Sequence, residues 1–200
     1  MTQMQGVQTV KVNGVEIAYR FDGPKEGRVL LMANSLMANG SMWDSNLSAL
    51  TDRYRVLRYD KRGHGQSAVT PGPYSIAQLA KDTLALLEYL HIDKAFFCGI
   101  SMGGLIGQWL AVYAQHKFAA LVIANTASKI GSEQAWLDRA ALVRRDGLNA
   151  IAESAPSRWF TPEFYGASPS SVSPMLINLK NMSSEGYASC CEALATEDLT

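Results

Sequence analysis

Residues 99–103 read Gly99-Ile100-Ser101-Met102-Gly103. Before them, Asp93-Lys94-Ala95-Phe96-Phe97-Cys98 carries the apolar run of a short buried strand. After them, Gly104-Leu105-Ile106-Gly107-Gln108-Trp109-Leu110-Ala111 reads as a helix. A serine between two glycines at a strand-to-helix turn is the pattern of a nucleophile elbow. So tight a turn excludes bulk at the flanking positions, hence glycine. It lifts the hydroxyl of Ser101 clear of the sheet and aims the next backbone N–H, that of Met102, at a developing oxyanion. The bare pentapeptide also suits a glycine-rich turn with a capping serine. The strand before it and the helix after it favour the catalytic reading.

The surrounding chain has the same alternation. Val7–Val12 and Val15–Tyr19 alternate apolar and polar residues around Asn13-Gly14, a two-residue hairpin signal. Arg28–Ala33, Tyr54–Tyr59, Ala95–Cys98 and Phe118–Ala124 are apolar runs of the kind that strands buried on both faces require. Between the strands, Ser75–Leu90 repeats apolar residues at helical spacing, with Ser75 and Gln78 forming a capping box. An opening antiparallel hairpin, then strands alternating with helices, predicts a mostly parallel α/β sheet with helices on both faces. From about Gly131 the strand runs stop. Glu133–Arg145, Leu148–Ser154, Pro174–Asn181 and Glu185–Ala193 read as helices. The expected organisation is therefore a core over residues 1–130 and a helical cap over 131–200, closing over a cleft to exclude water and choose substrates.

Composition narrows the function classes. The 200 residues are 48% hydrophobic and 18% charged, as in a globular chain. Lysine plus arginine equals aspartate plus glutamate at 18 each, which leaves no footprint for nucleic acid or an anionic membrane. No apolar run reaches the roughly 18 residues of a membrane span. The cysteines, Cys98, Cys190 and Cys191, are odd in number and lack metal-ligand spacing, which points to free thiols in the cytoplasm. No cofactor and no metal is expected.

A serine nucleophile needs two oxyanion donors. Met102 N–H supplies one, at the helix N-terminus. The loop after the third strand, Asn34-Ser35-Leu36-Met37-Ala38-Asn39-Gly40, supplies the other, with Leu36 as the favoured donor. A second glycine-rich loop, Arg58-Tyr59-Asp60-Lys61-Arg62-Gly63-His64-Gly65-Gln66-Ser67, carries charges expected to pair locally. His64 is disfavoured as the base, since in this arrangement the base follows the serine in the chain. His91 and His116 read as capping or surface residues.

Five segments carry a specific resemblance: N-S-L-M-A-N-G-S-M-W-D (34–44), R-Y-D-K-R-G-H-G-Q-S (58–67), G-I-S-M-G-G-L-I-G-Q-W-L-A (99–111), I-A-N-T-A-S-K-I-G (123–131) and R-W-F-T-P-E-F (158–164). Together they resemble the 3-oxoadipate enol-lactonases, a family of α/β-hydrolases in bacterial aromatic catabolism. The resemblance implies the α/β-hydrolase fold and a serine that opens an enol-lactone ring, after which water releases 3-oxoadipate. It implies Ser101 as nucleophile and Leu36 and Met102 as oxyanion donors. The family also needs an Asp after the next core strand and a His further on. No such pair follows the elbow, so the C-terminal part of the core is expected to lie beyond Thr200.

A cap that binds the substrate's carboxylates needs cations, and Lys129, Arg139, Arg144, Arg145 and Arg158 are the candidates. Arg139 is favoured because it stands three residues after Trp136, on one helical face with an apolar wall. Gln108 is a further candidate facing the cleft. The competing readings are a general carboxylesterase or cofactor-free perhydrolase, and a catalytically inactive ligand-binding protein without the acid and base. The expected partner is a small-molecule lactone.

Overall fold

The computed structural model describes residues 6–200. Six strands form one sheet in the order β1-β2-β4-β3-β5-β6. They are β1 (Gln8–Val12), β2 (Val15–Asp22), β3 (Arg28–Ala33), β4 (Tyr54–Tyr59), β5 (Ala95–Ile100) and β6 (Phe118–Ala124). β1 and β2 form the expected hairpin, with Asn13 and Gly14 at φ 46° and 77°, the left-handed pair that a primed two-residue turn requires. β2 also runs antiparallel to β4, while β3/β4, β3/β5 and β5/β6 are parallel.

The helices are α1 (Leu47–Leu50), α2 (Ile76–Tyr89), α3 (Met102–Tyr113), α4 (Glu133–Asp146), α5 (Asn149–Trp159), α6 (Pro162–Ala167), α7 (Pro169–Lys180) and α8 (Ser184–Thr196). α2 starts where its capping residue predicts: Ser75 Oγ accepts the Gln78 N–H at 3.1 Å. Its buried face is Ile76, Leu79, Ala80, Thr83, Leu86 and Leu87, and Asp82 is also buried.

The second half differs in detail from the sequence expectation. α5 runs to Trp159 and carries Pro156 inside it, because Ile151, Ala152, Ala155 and Pro156 are all buried. Packing thus overrides the proline penalty. α6 is an additional short helix, opened by Thr161 Oγ accepting the Phe164 N–H at 3.2 Å and by Pro162 at its start. α7 begins five residues earlier than predicted, at Pro169.

α8 is the most buried of the later helices, from Gly186 through Cys191 and again over Ala193–Ala195. Gly186 lies against Gly63 so closely that a Cβ on Gly186 would sit 2.1 Å from the Gly63 carbonyl oxygen. The helical segment is therefore seated directly on the loop after β4, and one continuous hydrophobic core runs from Val10 to Leu194. On the other side, β6 ends the sheet. Val122 is 58% and Ile123 38% exposed, and an apolar depression of about 380 Å³ opens over Leu30, Met32, Phe96 and Val122.

Candidate active site

The elbow forms where the sequence places it. Ser101 follows β5 directly and has φ 55° and ψ −120°, a strained conformation for a non-glycine residue. Its N–H donates to the Ala124 carbonyl at 3.0 Å and its carbonyl accepts the Leu105 N–H at 3.0 Å. The glycines are required by close approach. A Cβ on Gly99 would lie 2.3 Å from the Gly103 carbonyl oxygen, and one on Gly103 would lie 2.3 Å from the Ala33 carbonyl oxygen. α3 therefore starts at Met102, ahead of the predicted Gly104, and crosses β3 and β5 almost in backbone contact.

Ser101 opens into a cleft of about 370 Å³. Ser35, Leu36, Met37 and Ala38 form one wall, and Asn125 stands beside the serine at the end of β6. Trp136 and Arg139 of α4, Arg158 and Trp159 of α5, and Phe160 close it from above. The predicted loop, elbow and cap residues Leu36, Ser101, Trp136 and Arg139 are thus brought together. Met102 is buried at the first position of α3, where the helix leaves its leading N–H groups without intrahelical acceptors. Gln108 lies further along α3 and does not line the cleft.

The candidate cations separate cleanly. Arg144 bridges Glu185 and Glu192 at 2.8 and 2.5 Å, Arg145 pairs with Asp146 at 2.7 Å, and Lys129 pairs with Asp198 at 3.2 Å. None of these three lines the cleft. Arg158 lines it and donates to Ser154 Oγ at 3.1 Å. Arg139 lies over the rings of Trp136 and Tyr187, 5.5 and 5.7 Å from their centroids. Its Nε is buried without a hydrogen-bond partner, and its polar contact is Met37 Sδ at 3.9 Å. Among the described residues, no carboxylate holds this guanidinium.

The charges of the second glycine-rich loop pair with distant elements, not locally as expected. Arg58 binds Asp22 at 2.7 Å and Asp44 at 2.5 Å, and Arg62 binds Asp82 at 2.6 Å. His64 is fully buried beneath the 34–40 loop, with Nε2 against the Leu36 carbonyl and Nδ1 4.0 Å from Cys190 Sγ. Burial, with Lys61 nearby, pushes its pKa well below the usual imidazole value. His91 and His116 precede β5 and β6, at the strand ends opposite Ser101. Among the described residues, neither a histidine nor a carboxylate lines the cleft.

Residues 28–189 match the model of the alpha/beta hydrolase fold family. The chain belongs to that family. Within it, the chain is 49% identical to 3-oxoadipate enol-lactonase 2 of Acinetobacter baylyi, over 96% of this chain and 72% of the relative. It is 35% identical to 3-oxoadipate enol-lactonase 1 of the same organism, over 100% of this chain and 74% of the relative. The crystal structure of the enol-lactonase from Burkholderia xenovorans LB400 superposes with a TM-score of 0.93 at 40% identity, covering 96% of this hydrolase and 75% of that chain.

Two kinds of cleft residue escaped the sequence reading. Asn125 follows β6 as Ser101 follows β5, and the carboxyl ends of parallel strands are where α/β sheets place ligands, so its position was a usable signal. Trp159, Phe160 and Met175 had no positional signal of that kind, because their facing depends on how the short helices after β6 pack.

Proposed function

We propose that this protein is a serine hydrolase that opens an enol-lactone bearing a free carboxylate, 3-oxoadipate enol-lactone by likeness to its relatives. The observation that carries the reading is a single cleft holding an elbow serine, the Leu36 loop and an unpaired guanidinium at Arg139. Ser101 Oγ adds to the lactone carbonyl and gives its proton to a general base, which lies outside the described residues of the cleft. The tetrahedral intermediate then collapses, the ring C–O bond breaks, and the proton passes to the leaving enol oxygen, whose enol tautomerises to the ketone. The carbonyl oxygen becomes an oxyanion held by the N–H groups of Leu36 and Met102 and by the positive end of α3. Closing one carboxyl of 3-oxoadipate into a lactone leaves the other free, and Arg139 is the group that meets it. Trp136, Trp159 and Phe160 line the apolar part of the cleft. Water then attacks the acyl-serine and releases 3-oxoadipate.

The free thiols of Cys98, Cys190 and Cys191 suit a cytoplasmic enzyme. Among the described residues, no helix is long and apolar enough to cross a membrane. The test compares hydrolysis of the enol-lactone with that of p-nitrophenyl acetate, for the parent and for Ser101→Ala. The reading expects a strong preference for the lactone and loss of both activities in the variant. Equal turnover of the two substrates would indicate a general carboxylesterase.

A further inference from the structure

The loop that carries Leu36 is clamped from below by buried polar groups. Asn34 Nδ2 donates to the Tyr59 carbonyl at 2.7 Å, Trp43 Nε1 donates to Asn34 Oδ1 at 2.8 Å, and the Gly40 N–H donates to Asp60 Oδ1 at 2.8 Å. Between these anchors the ammonium of Lys61, a residue only 2% exposed, donates to the Ser35 carbonyl at 2.7 Å and approaches the Ala38 carbonyl at 3.5 Å. The Ala38 N–H also donates to the Ser35 carbonyl, at 3.2 Å.

The Ser35 carbonyl and the Leu36 N–H belong to one planar trans peptide, in which the two bonds point in opposite directions. A carbonyl held down onto Lys61 therefore turns the Leu36 N–H upward, away from the β4 loop. Leu36 lines the cleft, and among the described residues no acceptor takes its N–H. A cation at the carbonyl end of a peptide also draws electron density away from the nitrogen and strengthens the N–H as a donor. The effect is greatest where water is excluded.

We propose that Lys61 is a positioning residue for the oxyanion hole: its ammonium group, bound to the Ser35 carbonyl, orients and polarises the Leu36 N–H toward the acyl oxygen of a substrate on Ser101. This rests on the serine-hydrolase reading above. Lys61 differs from the neighbouring loop cations, Arg58 and Arg62, which are neutralised by carboxylates. The groups facing it are Asp60 and His64 on its own loop and Cys190 on α8, with Arg62 and Asp82 behind the thiol. Burial brings the Lys61 pKa down to about 8, against partial support from Cys190 and Asp60. The charge is therefore removable in a range where the fold is testable, and the neutral amine still reaches Ser35.

The deciding measurement is the amide proton shift of Leu36 in the ¹⁵N-labelled chain between pH 6.5 and 9.5. The wild type is expected to show an upfield step with a midpoint near pH 8, and Ser101→Ala the same step. Lys61→Met is expected to start upfield and show no step. A Leu36 amide whose shift is the same in Lys61→Met as in the wild type, or that titrates alike in the two, overturns the proposal. If Lys61→Met does not fold, Lys61→Gln, which keeps a neutral donor in reach of the Ser35 carbonyl, is read in the same way.

A second readout is the rate at which a fluorophosphonate ester labels Ser101, since its phosphoryl oxygen occupies the same hole. Lys61→Met is expected to slow labelling at least about tenfold, below the roughly 10²–10³-fold cost of losing a whole donor. Unchanged labelling refutes the polarisation. Labelling of Ser101→Ala at the wild-type rate would instead remove Ser101 from the chemistry, a failure of the hydrolase reading that the Leu36 shift does not share.

Discussion

Replacing Arg139 by Met removes one of the cleft's two cations without a carboxylate partner, the one over Trp136, while keeping an unbranched stem. The magnitude follows from what the guanidinium touches. It lies over Trp136 and Tyr187 and has no carboxylate partner among the described residues, so a substrate carboxylate displaces no internal ion pair. A hydrogen bond to a charged group is worth about 1.5–3 kcal/mol, or roughly 10- to 150-fold in affinity. The two ring contacts contribute on the order of 0.5–1 kcal/mol each to the fold, a loss that the Met stem partly replaces. Calorimetric titration with 3-oxoadipate should show that weakening directly. In turnover, the effect should fall on KM for the carboxylate-bearing lactone, because the carboxylate is held equally in the ground and transition states. p-Nitrophenyl acetate should be little affected. Arg144→Met is the control: Arg144 stands in the same helix but already holds Glu185 and Glu192, so its loss should leave 3-oxoadipate affinity unchanged. Equal losses on the lactone and the neutral ester would make Arg139 structural. No change on either would move the carboxylate to Arg158.

Ser101→Ala should reduce lactone hydrolysis to the uncatalysed background with an unchanged circular dichroism spectrum, and residual activity within tenfold of the parent would contradict the assigned nucleophile. Gly103→Ala places a methyl 2.3 Å from the Ala33 carbonyl oxygen, so β3 and α3 must separate. The expected cost is at least about 1–3 kcal/mol in a urea melt, with a displaced Ser101, and a variant as stable as the parent would show that the crossing is not tight. His64 is held neutral by burial and by Lys61, so its pKa is depressed in the folded state. The unfolded chain takes up a proton below about pH 6.5 that the folded chain resists, so this contribution to stability is present above 6.5 and is lost as pH falls. His64→Gln should flatten the dependence of the urea midpoint on pH between 6.5 and 5 by up to about 1.4 kcal/mol per pH unit, and an unchanged slope would mean that His64 titrates normally.

The order of the elements was legible because each signal is local. Asn13-Gly14 fixes a primed turn, Ser75 caps α2, and Gly99 and Gly103 mark a backbone crossing that no larger residue allows. The helices after β6 were less legible. Pro156 lies inside α5 because the surrounding side chains are buried, a tertiary effect that propensity opposes. α6 has a sound start signal in Thr161-Pro162, but six residues carry too little periodicity to predict a helix. In the site, the elbow and the Leu36 loop follow from strand-end positions. The role given to Lys61 does not, since its partner is a backbone carbonyl 26 residues earlier in the chain. No side-chain pattern records such a contact.

Net charge was uninformative for a physical reason. The formal charge is zero, yet the named cations are not equivalent. Arg58 and Arg62 are consumed by Asp22, Asp44 and Asp82 in holding the β4 loop, and Arg144, Arg145 and Lys129 are matched by acids on or near the cap. What remain at the cleft are Arg139 and Arg158, neither matched by a carboxylate among the described residues, in the same cleft as Ser101. A cleft of about 370 Å³ accommodates a small molecule that spans these two features. An ester with its carbonyl at Ser101 and an anionic arm reaching α4 satisfies both at once, whereas a neutral ester satisfies only the first. On the proposed reading, selectivity therefore rests on the spacing between the elbow and the unmatched guanidinium groups of the cleft, with Arg139 the first to test, not on the overall charge.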